Sequence, residues 1–281
     1  MTIADLHVHS NNSDGSDSIE ALAKNIEQSG VKIFALTDHD TVSGCEEMKK
    51  RISSEIKFIP SIELTCNSNG LKCHILGYNC DFKNQKLLSL IEKGKLLRKQ
   101  KLETRINYLK DSWNIVLNNE ELDWLYSRKS VVKTHIANIL VNRGLAYDNV
   151  SAMKKYLDGC KSGDTRFTIE ESIDVIISSG GIPVWAHPLG GEGEEHDNAE
   201  IFLPKLEKMI AYGIKGLECY YSRYSKKESE FLADIAKEKN LLISGGSDYH
   251  GTNKDIPLGK LSCEINKVDY KKLSILEKLI H

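Results

Sequence analysis

Apolar positions along this chain follow two rhythms, and the switches between them mark its elements. Short apolar runs at Ile3–Val8, Val31–Leu36, Phe58–Cys66, Leu71–Tyr78, Ile182–Ala186, Leu217–Tyr221 and Leu241–Ser244 predict buried strands. Between them the apolar residues recur at helical spacing. Ile19, Leu22, Ala23 and Ile26 predict a helix over 18–29 that Gly30 closes, and a short helix follows to about Ile52. Helices are also predicted over 168–179, 201–212, 225–240 and 270–280. Asn67-Ser68-Asn69-Gly70 is turn chemistry between two of the strands.

The rhythm changes after residue 83. Leu87–Leu109 is a long Lys-rich helical pattern, and 119–158 continues with short helices, among them Thr134–Asn142. No strand pattern occurs there, so 84–165 is expected to be a helical insertion (cap) splitting one domain made of 1–83 and 166–281. Alternating strands and helices imply a parallel sheet with helices outside. Polar residues gathered at the ends of several strands suit the active-site face of a closed barrel. An open doubly wound sheet would gather them at one crevice.

Composition narrows the class. With 281 residues, 40% of them hydrophobic and 28% charged, the chain suits a soluble globular protein with a full-sized core. No apolar run reaches bilayer-spanning length, and Met1 leads directly into a strand-like segment, so neither signal peptide nor membrane span is expected. Seven cysteines, an odd number without zinc-ribbon pairing, read as reduced thiols of a cytoplasmic protein. Cys66, Cys73 and Cys80 read as buried thiols within strands. The net charge of −2 hides an asymmetry: residues 84–165 carry 15 Lys+Arg against 9 Asp+Glu, a net +6, leaving −8 elsewhere. Beside a metal site that excess would suit an anionic substrate. By count alone it reads as a solvated helical surface.

The candidate chemistry lies where the apolar runs end. Asp5-Leu6-His7-Val8-His9-Ser10, Thr37-Asp38-His39-Asp40, Cys73-His74, Trp185-Ala186-His187-Pro188 and Ser247-Asp248-Tyr249-His250 hold six of nine histidines. Neutral imidazole with carboxylate is a ligand set for divalent metals. His7 and His9, two apart on a strand, share a face, as do Asp248 and His250. Glu63 ends an otherwise apolar run, where an ionised carboxylate is costly unless paired or bound to metal. Its two oxygens suit a bridge between two ions. Singly, each residue has a duller role: His39 capping its turn, Asp14 forming an Asx turn with Gly15, His74 as a core histidine. Five clusters together point to one metal centre. His196 and His281 read as surface residues.

These motifs, DLHVHSNNSDGS, TDHD, Glu63, His74, AHP at 186–188 and GGSDYHG at 245–251, span nearly the whole chain in order and resemble the PHP (polymerase and histidinol phosphatase) family. The likeness is to its stand-alone branch with a helical insertion between His74 and AHP, the nucleoside 3',5'-bisphosphate and AMP phosphatases and the related 5'-to-3' exoribonucleases. The resemblance implies an α/β fold, a distorted (β/α)7 TIM-like barrel, with three divalent metal ions, usually manganese, sometimes iron or zinc. It implies that His7, His9, Glu63 and Asp248 hold the first ion, Glu63, His74 and His187 the second, and Asp14, His39 and His250 the third. Every position is filled. In this branch an Arg-Pro-His-like motif contacts phosphate; here Lys133 stands in the Arg position, Thr134 in that of Pro, and His135 follows. Lysine meets phosphate as a point charge without bidentate geometry. Arg223 is a second phosphate candidate.

The implied activity is a metal-dependent phosphoesterase that activates water to release phosphate from a small nucleotide monoester. Removal of mononucleotides from the 5' end of short RNA is the second enzymatic reading, and histidinol-phosphate phosphatase a third. A non-catalytic metal-binding module belongs to a different class, and the complete ligand set argues against it. No basic run with interleaved aromatics marks an RNA-binding motif, and no membrane or obligate protein partner is indicated.

Overall fold

The computed structural model describes residues 3–161, 166–265 and 268–280. The expected end of the helical insertion at 165, like His281, lies outside the described residues. Seven strands, β1 (Ile3–Val8), β2 (Val31–Leu36), β3 (Lys57–Ser68), β4 (Leu71–Tyr78), β5 (Ile182–Ala186), β6 (Gly216–Tyr221) and β7 (Leu242–Gly246), form one sheet in sequence order.

The sheet is not parallel throughout, as strand–helix alternation suggested. β4 runs antiparallel to both β3 and β5. The cause is local: Ser68 pairs with Leu71, leaving Asn69 (φ 53°) and Gly70 (φ 85°) as a two-residue turn with left-handed backbone at both positions. Two residues can only turn a chain back on itself, because a parallel crossover needs a dozen or more. β4 therefore brings its opening half, not its end, to the face where its neighbours finish.

The ends of the sheet meet just past β7. Asp248 N donates to His7 O (2.8 Å), His9 N donates to Tyr249 O (2.9 Å), and Val8 bridges Tyr249 in parallel. The buried Asp5 carboxylate fastens this seam, accepting from Ser247 N (2.8 Å), Ser247 Oγ (2.6 Å) and Gly259 N (2.7 Å). The result is a nearly closed seven-stranded α/β barrel.

Helices α1 (Ile19–Ser29) and α2 (Cys45–Arg51) cover β1 and β2. α1 buries Ile19, Leu22, Ala23 and Ile26, with Ser18 Oγ capping Ala21 N at its start. Between β4 and β5 the chain forms α3 (Gln85–Trp113), α4 (Asn119–Ser127), α5 (Lys133–Asn142) and α6 (Asn149–Ala152), the last running into a π-turn at Met153–Leu157. α3 serves two cores: Leu87, Leu90 and Ile91 pack with the barrel, while Leu102 and Leu109 join Leu125, Ile136, Leu140 and Leu157 in a separate cluster. α7 (Ile169–Ser178), α8 (Ala199–Tyr212) and α9 (Lys226–Glu238) complete the outer layer. The expected helix over 270–280 is broken into a 3-10 turn (Tyr270–Lys272) and α10 (Leu276–Leu279). Ser274 Oγ accepts from Ile243 N (3.0 Å) and Ile275 N donates to Ile243 O (3.2 Å), so the segment between them pairs with β7 instead of continuing the helix. Among the described residues no helix is long and apolar enough to cross a membrane.

Seam packing leaves no room at Gly246, where an added Cβ would lie 2.2 Å from His7 Cβ and 2.5 Å from His7 N. Backbone cannot yield as a flexible side chain does. Gly246→Ala is therefore expected to destabilise the protein by about 1–3 kcal/mol. Urea unfolding against the unsubstituted protein checks this.

Candidate metal centre

The expected ligands come to one end of the barrel from six of its seven strands. His7 lies on β1 and His9 just past its end. β2 stops pairing at Leu36–Pro60, and β3 runs on. There Glu63 is held by the loop after β2: Asp40 N donates to Glu63 O (2.8 Å) and Glu63 N to Asp38 O (3.3 Å), with His39 bridging beside it. His74 stands on β4 opposite Thr65 and Ala186, so His187 follows just past the end of β5. Asp248 and His250 leave β7 at the seam. His187 (φ 30°), Asp248 (φ 57°) and Asp40 (φ 52°) all take left-handed backbone. Such strain persists only where the surroundings over-determine the conformation.

Glu63, 1% exposed, is the hub. Its Oε2 lies 3.2 Å from His7 Nε2, 3.1 Å from His9 Nε2 and 3.2 Å from His39 Nδ1. Its Oε1 faces the other way, 3.0 Å from His74 Nδ1 and 3.6 Å from His187 Nε2. Asp248 Oδ1 approaches His7 Nε2 (3.5 Å) and His9 Nε2 (3.4 Å), while its Oδ2 accepts from Lys254 Nζ (2.6 Å) and Tyr221 OH (3.1 Å). Asp14 meets His250 Nε2 (3.2 Å), His39 Nε2 (3.7 Å) and His9 Nδ1 (3.7 Å). Three overlapping sets have one donor atom per residue within 4.8 Å of each other: His7, His9 and Glu63; His39, Glu63 and His74; and His9, Asp14, His39 and His250. His39 and His9 thus stand between neighbouring sets, a sharing that motif order did not suggest.

The donor set fits divalent cations on a further observation. His9 Nε2, Asp14 Oδ1 and His39 Nδ1 are buried without a hydrogen-bond partner although acceptors and donors crowd them. Orphaned buried polar atoms are rare because each carries the full cost of lost hydration. Three such atoms within one cluster fit the demand of divalent cations for lone pairs.

The electrostatics agree. Burial pushes the Glu63 carboxyl up, but His39, His7 and His74 together hold it well below the usual carboxylate range. Burial disfavours a charged His7, yet Glu218, Glu63 and Asp248 raise it well above the usual imidazole range. His9, pressed down by burial, is lifted to about 9 by Asp248, Glu63 and Asp14. Burial wins at His39 and His250, which are lowered.

A supporting ring lay outside the expected set. Glu218 on β6, fully buried, accepts from His7 Nδ1 (2.9 Å) and His187 N (2.8 Å), turning His7 Nε2 toward Glu63. Its signal was the same as that of Glu63, an acid inside an apolar strand. Asp38 accepts from Ser10 N and Oγ and Ser13 Oγ, bracing the loop that carries Asp14. Arg98 of α3 grips Asp40 through Nε (2.7 Å) and Nη2.

The three phosphate candidates are placed differently. Lys133 is paired with Asp158, and Arg223 with Glu192. His135 is buried, its Nδ1 accepting from Val132 N (3.1 Å); burial, with Arg128 nearby, lowers it to about 4. His196 is not free at the surface, since its Nδ1 lies 2.6 Å from Glu228 Oε1. His74 and His187 open onto a cleft of about 630 Å³ whose walls carry Lys72, Arg166 and Lys205 along with Glu194, Glu195 and Asp197, the last paired with Lys205.

The sequence profile of the PHP domain matches residues 5–180. A 5'-3' exoribonuclease of Haemophilus influenzae is 31% identical over 263 residues, 91% of this chain and 93% of its own. A 3',5'-nucleoside bisphosphate phosphatase of Chromobacterium violaceum is 26% identical over 258 residues, 89% of this chain and 88% of its own. Among solved structures, an amidohydrolase from Chromobacterium violaceum, with bound sulfate and no metal, superposes with a TM-score of 0.85 at 22% identity, over 99% of this chain and 96% of that one, which shows a shared fold.

Two outcomes are expected of the centre. His7 and His9 both hold protons at neutral pH, so an entering cation must displace them. Metal binding should therefore release protons and tighten as pH rises toward 9; titration calorimetry in buffers of different ionisation heat counts them, and affinity constant from pH 6 to 9 would contradict it. Glu218→Gln should weaken metal affinity roughly 10–100-fold, read by titration calorimetry, and should also destabilise the metal-stripped protein, because buried His7 loses its charged partner.

Proposed function

The chain belongs to the PHP domain family of phosphoesterases, and from that premise we propose that it hydrolyses a phosphate monoester of a small nucleotide, of the AMP or nucleoside 3',5'-bisphosphate type, at a centre of three divalent metal ions. The observation that carries the reading is the convergence of buried, unpartnered donors of His9, Asp14 and His39 around Glu63. Glu63 would be shared between two of the ions, one held with His7, His9 and Asp248 and the other with His74 and His187. Asp14, His39 and His250 would hold the third. Divalent ions so held bring the pKa of water toward neutrality and offset charge building on phosphorus. Manganese is the native metal in this reading, with iron or zinc in the same ligands.

The chain's own residues do the rest. Glu218 and the seam fix the imidazoles before substrate arrives, so little reorganisation accompanies reaction. Lys254 and Tyr221 hold one oxygen of Asp248 and leave the other for metal. The cleft at His74 and His187 admits the ester, with Lys72 and Arg166 on one part of its wall and Glu194 and Glu195 on another. The described part of the insertion, 84–161, acts as a cap over this end of the barrel, reaching it through Arg98 to Asp40 and Arg128 to Asn11.

One observation favours a second reading, exonucleolytic attack on the 5' end of short RNA. Half-exposed Tyr126 shares a hollow of about 220 Å³ with Lys95, Lys99, Arg128 and Lys129, a stacking surface among cations that no linear run disclosed.

Phosphate release by the manganese-loaded protein separates the readings. The panel is AMP, adenosine 3',5'-bisphosphate, histidinol phosphate and a 5'-phosphorylated RNA oligomer, each with wild type and His9→Ala. Turnover of the mononucleotides, falling at least about 100-fold in the variant, is the expected result. Stepwise shortening of RNA moves the protein to the nuclease reading. No turnover with metal bound removes the substrate claim.

A further inference from the structure

The candidate ligands are not all held in the same way. His7, Glu63 and His74 stand on strands, and Asp248 N is tied to His7 O just past β7. Asp14 and His39 lie instead on the loops that follow β1 and β2. They approach within 3.7 Å and belong, with His9 and His250, to one ligand set. Asp38 joins the two loops directly, through Ser10 and Ser13. The cap joins them a second time. Arg98 of α3 donates through Nε (2.7 Å) and Nη2 to Asp40, the residue after His39, and through Nη2 to Thr65 Oγ1 (3.2 Å). Arg128, in the connection between α4 and α5, donates through Nη2 to Asn11 O. His135 of α5 hydrogen-bonds the backbone of Ser13, next to Asp14.

These grips form one chain of contacts. Arg98 Nη1 donates to Val131 O (3.3 Å), so the guanidinium that holds the His39 loop also fixes the segment carrying Arg128 and His135. His135 Nδ1 accepts from Val132 N (3.1 Å), which turns the rest of the ring toward Ser13. Trp124 of α4 backs both: its ring centre lies 5.4 Å from the Arg128 guanidinium and meets His135 edge-on at 5.5 Å. Arg98 and Asp40 are both largely buried, and a guanidinium shared among several acceptors there has little freedom to turn. We propose that Arg98 and Arg128 are positioning residues: through the cap they set the separation of His39 and Asp14, and with it the affinity of the ion those two hold with His250. The ions held by strand residues do not depend on this clip. The proposal rests on the metal-centre reading, but it states which ligand the arginines act through whatever the number of ions.

Manganese uptake by the metal-stripped protein tests it, measured by equilibrium dialysis and elemental analysis. The variants are Arg128→Ala, Arg128→Lys, Arg98→Lys and Asp14→Ala, beside wild type. Wild type should bind three equivalents. Arg128→Ala and Arg98→Lys should each weaken one equivalent about 10–100-fold and leave the others unchanged. Arg98→Lys keeps a charge against Asp40 but cannot reach Thr65 and Val131 as well. The weakened equivalent should be the one that Asp14→Ala abolishes, so adding Arg128→Ala to Asp14→Ala should cost no further affinity. Arg128→Lys can still donate to the Asn11 carbonyl and should recover most of the loss, which a general loosening of the fold would not allow. Should Arg98→Lys fail to fold, Arg128→Ala decides alone. Wild-type uptake by Arg128→Ala, or equal weakening of every equivalent, overturns the proposal. Fewer than three equivalents in wild type overturns the three-ion reading; the clip then stands only if Arg128→Ala and Asp14→Ala lose the same equivalent.

Discussion

The constraint on which the rest of this molecule depends is an ionised carboxylate buried at the end of a barrel. Glu63 is almost fully removed from water, and an uncompensated charge there would cost more than a typical domain's whole stability margin. Five imidazoles within 3.6 Å supply part of the compensation. Yet they stand beside three further buried or nearly buried carboxylates, Asp14, Glu218 and Asp248, so the cluster cannot satisfy itself with protons alone. Some imidazoles are pulled up and others pushed down in the same few ångströms. Divalent charge resolves that conflict, because one cation replaces several protons and accepts lone pairs from all sides.

Holding such a cluster together takes backbone as well as charge. The seam between β1 and the chain after β7 is made by the residues that carry the ligands: His7 O and His9 N are its hydrogen-bonding groups. Closing the barrel and building the centre are thus one event. Asp5 and Asp38 accept from neighbouring hydroxyls and amides, Asp5 from Ser247 and Gly259 and Asp38 from Ser10 and Ser13. Left-handed backbone at Asp40, His187 and Asp248 follows from the same demand, since each residue must turn sharply at a strand end while presenting its side chain or carbonyl inward.

Much of this was legible in the sequence, for physical reasons that also explain the failures. Strands buried on both faces announce themselves as apolar runs, and α1 announced its buried face, cap and stop residue by residue. Histidine and carboxylate at strand ends are conspicuous because they interrupt those runs. What escaped was whatever depends on partners distant in sequence. The reversal at β4 was written in Asn69-Gly70, but strand–helix rhythm elsewhere masked it. The helix over 270–280 had the right periodicity and lost to Ile243, whose unpaired strand edge took Ser274 and Ile275. Glu218 carried the same signal as Glu63 and was passed over because no motif surrounds it. Lys133 and Arg223 carry the right charge for phosphate, but no periodicity could reveal Asp158 or Glu192 waiting opposite them.

The charge excess of 84–165 gains meaning only in three dimensions, and α3 explains how. Its first turns are anchored in the barrel core through Leu87, Leu90 and Ile91, where Gly94 lets the helix approach the Phe167 ring closely enough that a Cβ would lie 2.6 Å from it. Its later turns build the cap core through Leu102 and Leu109. Between these anchors, Arg98, Lys101 and Arg105 recur at intervals of three and four, hence on one helical face. Arg98 reaches down to Asp40 beside Glu63, and Arg105 lines a cavity with Lys72 and Arg166. One helix therefore ties the loop that positions Glu63 to the cap core. Barrel and cap are joined along it: its first turns belong to the core beneath the strand ends, its later turns to the separate core of the insertion.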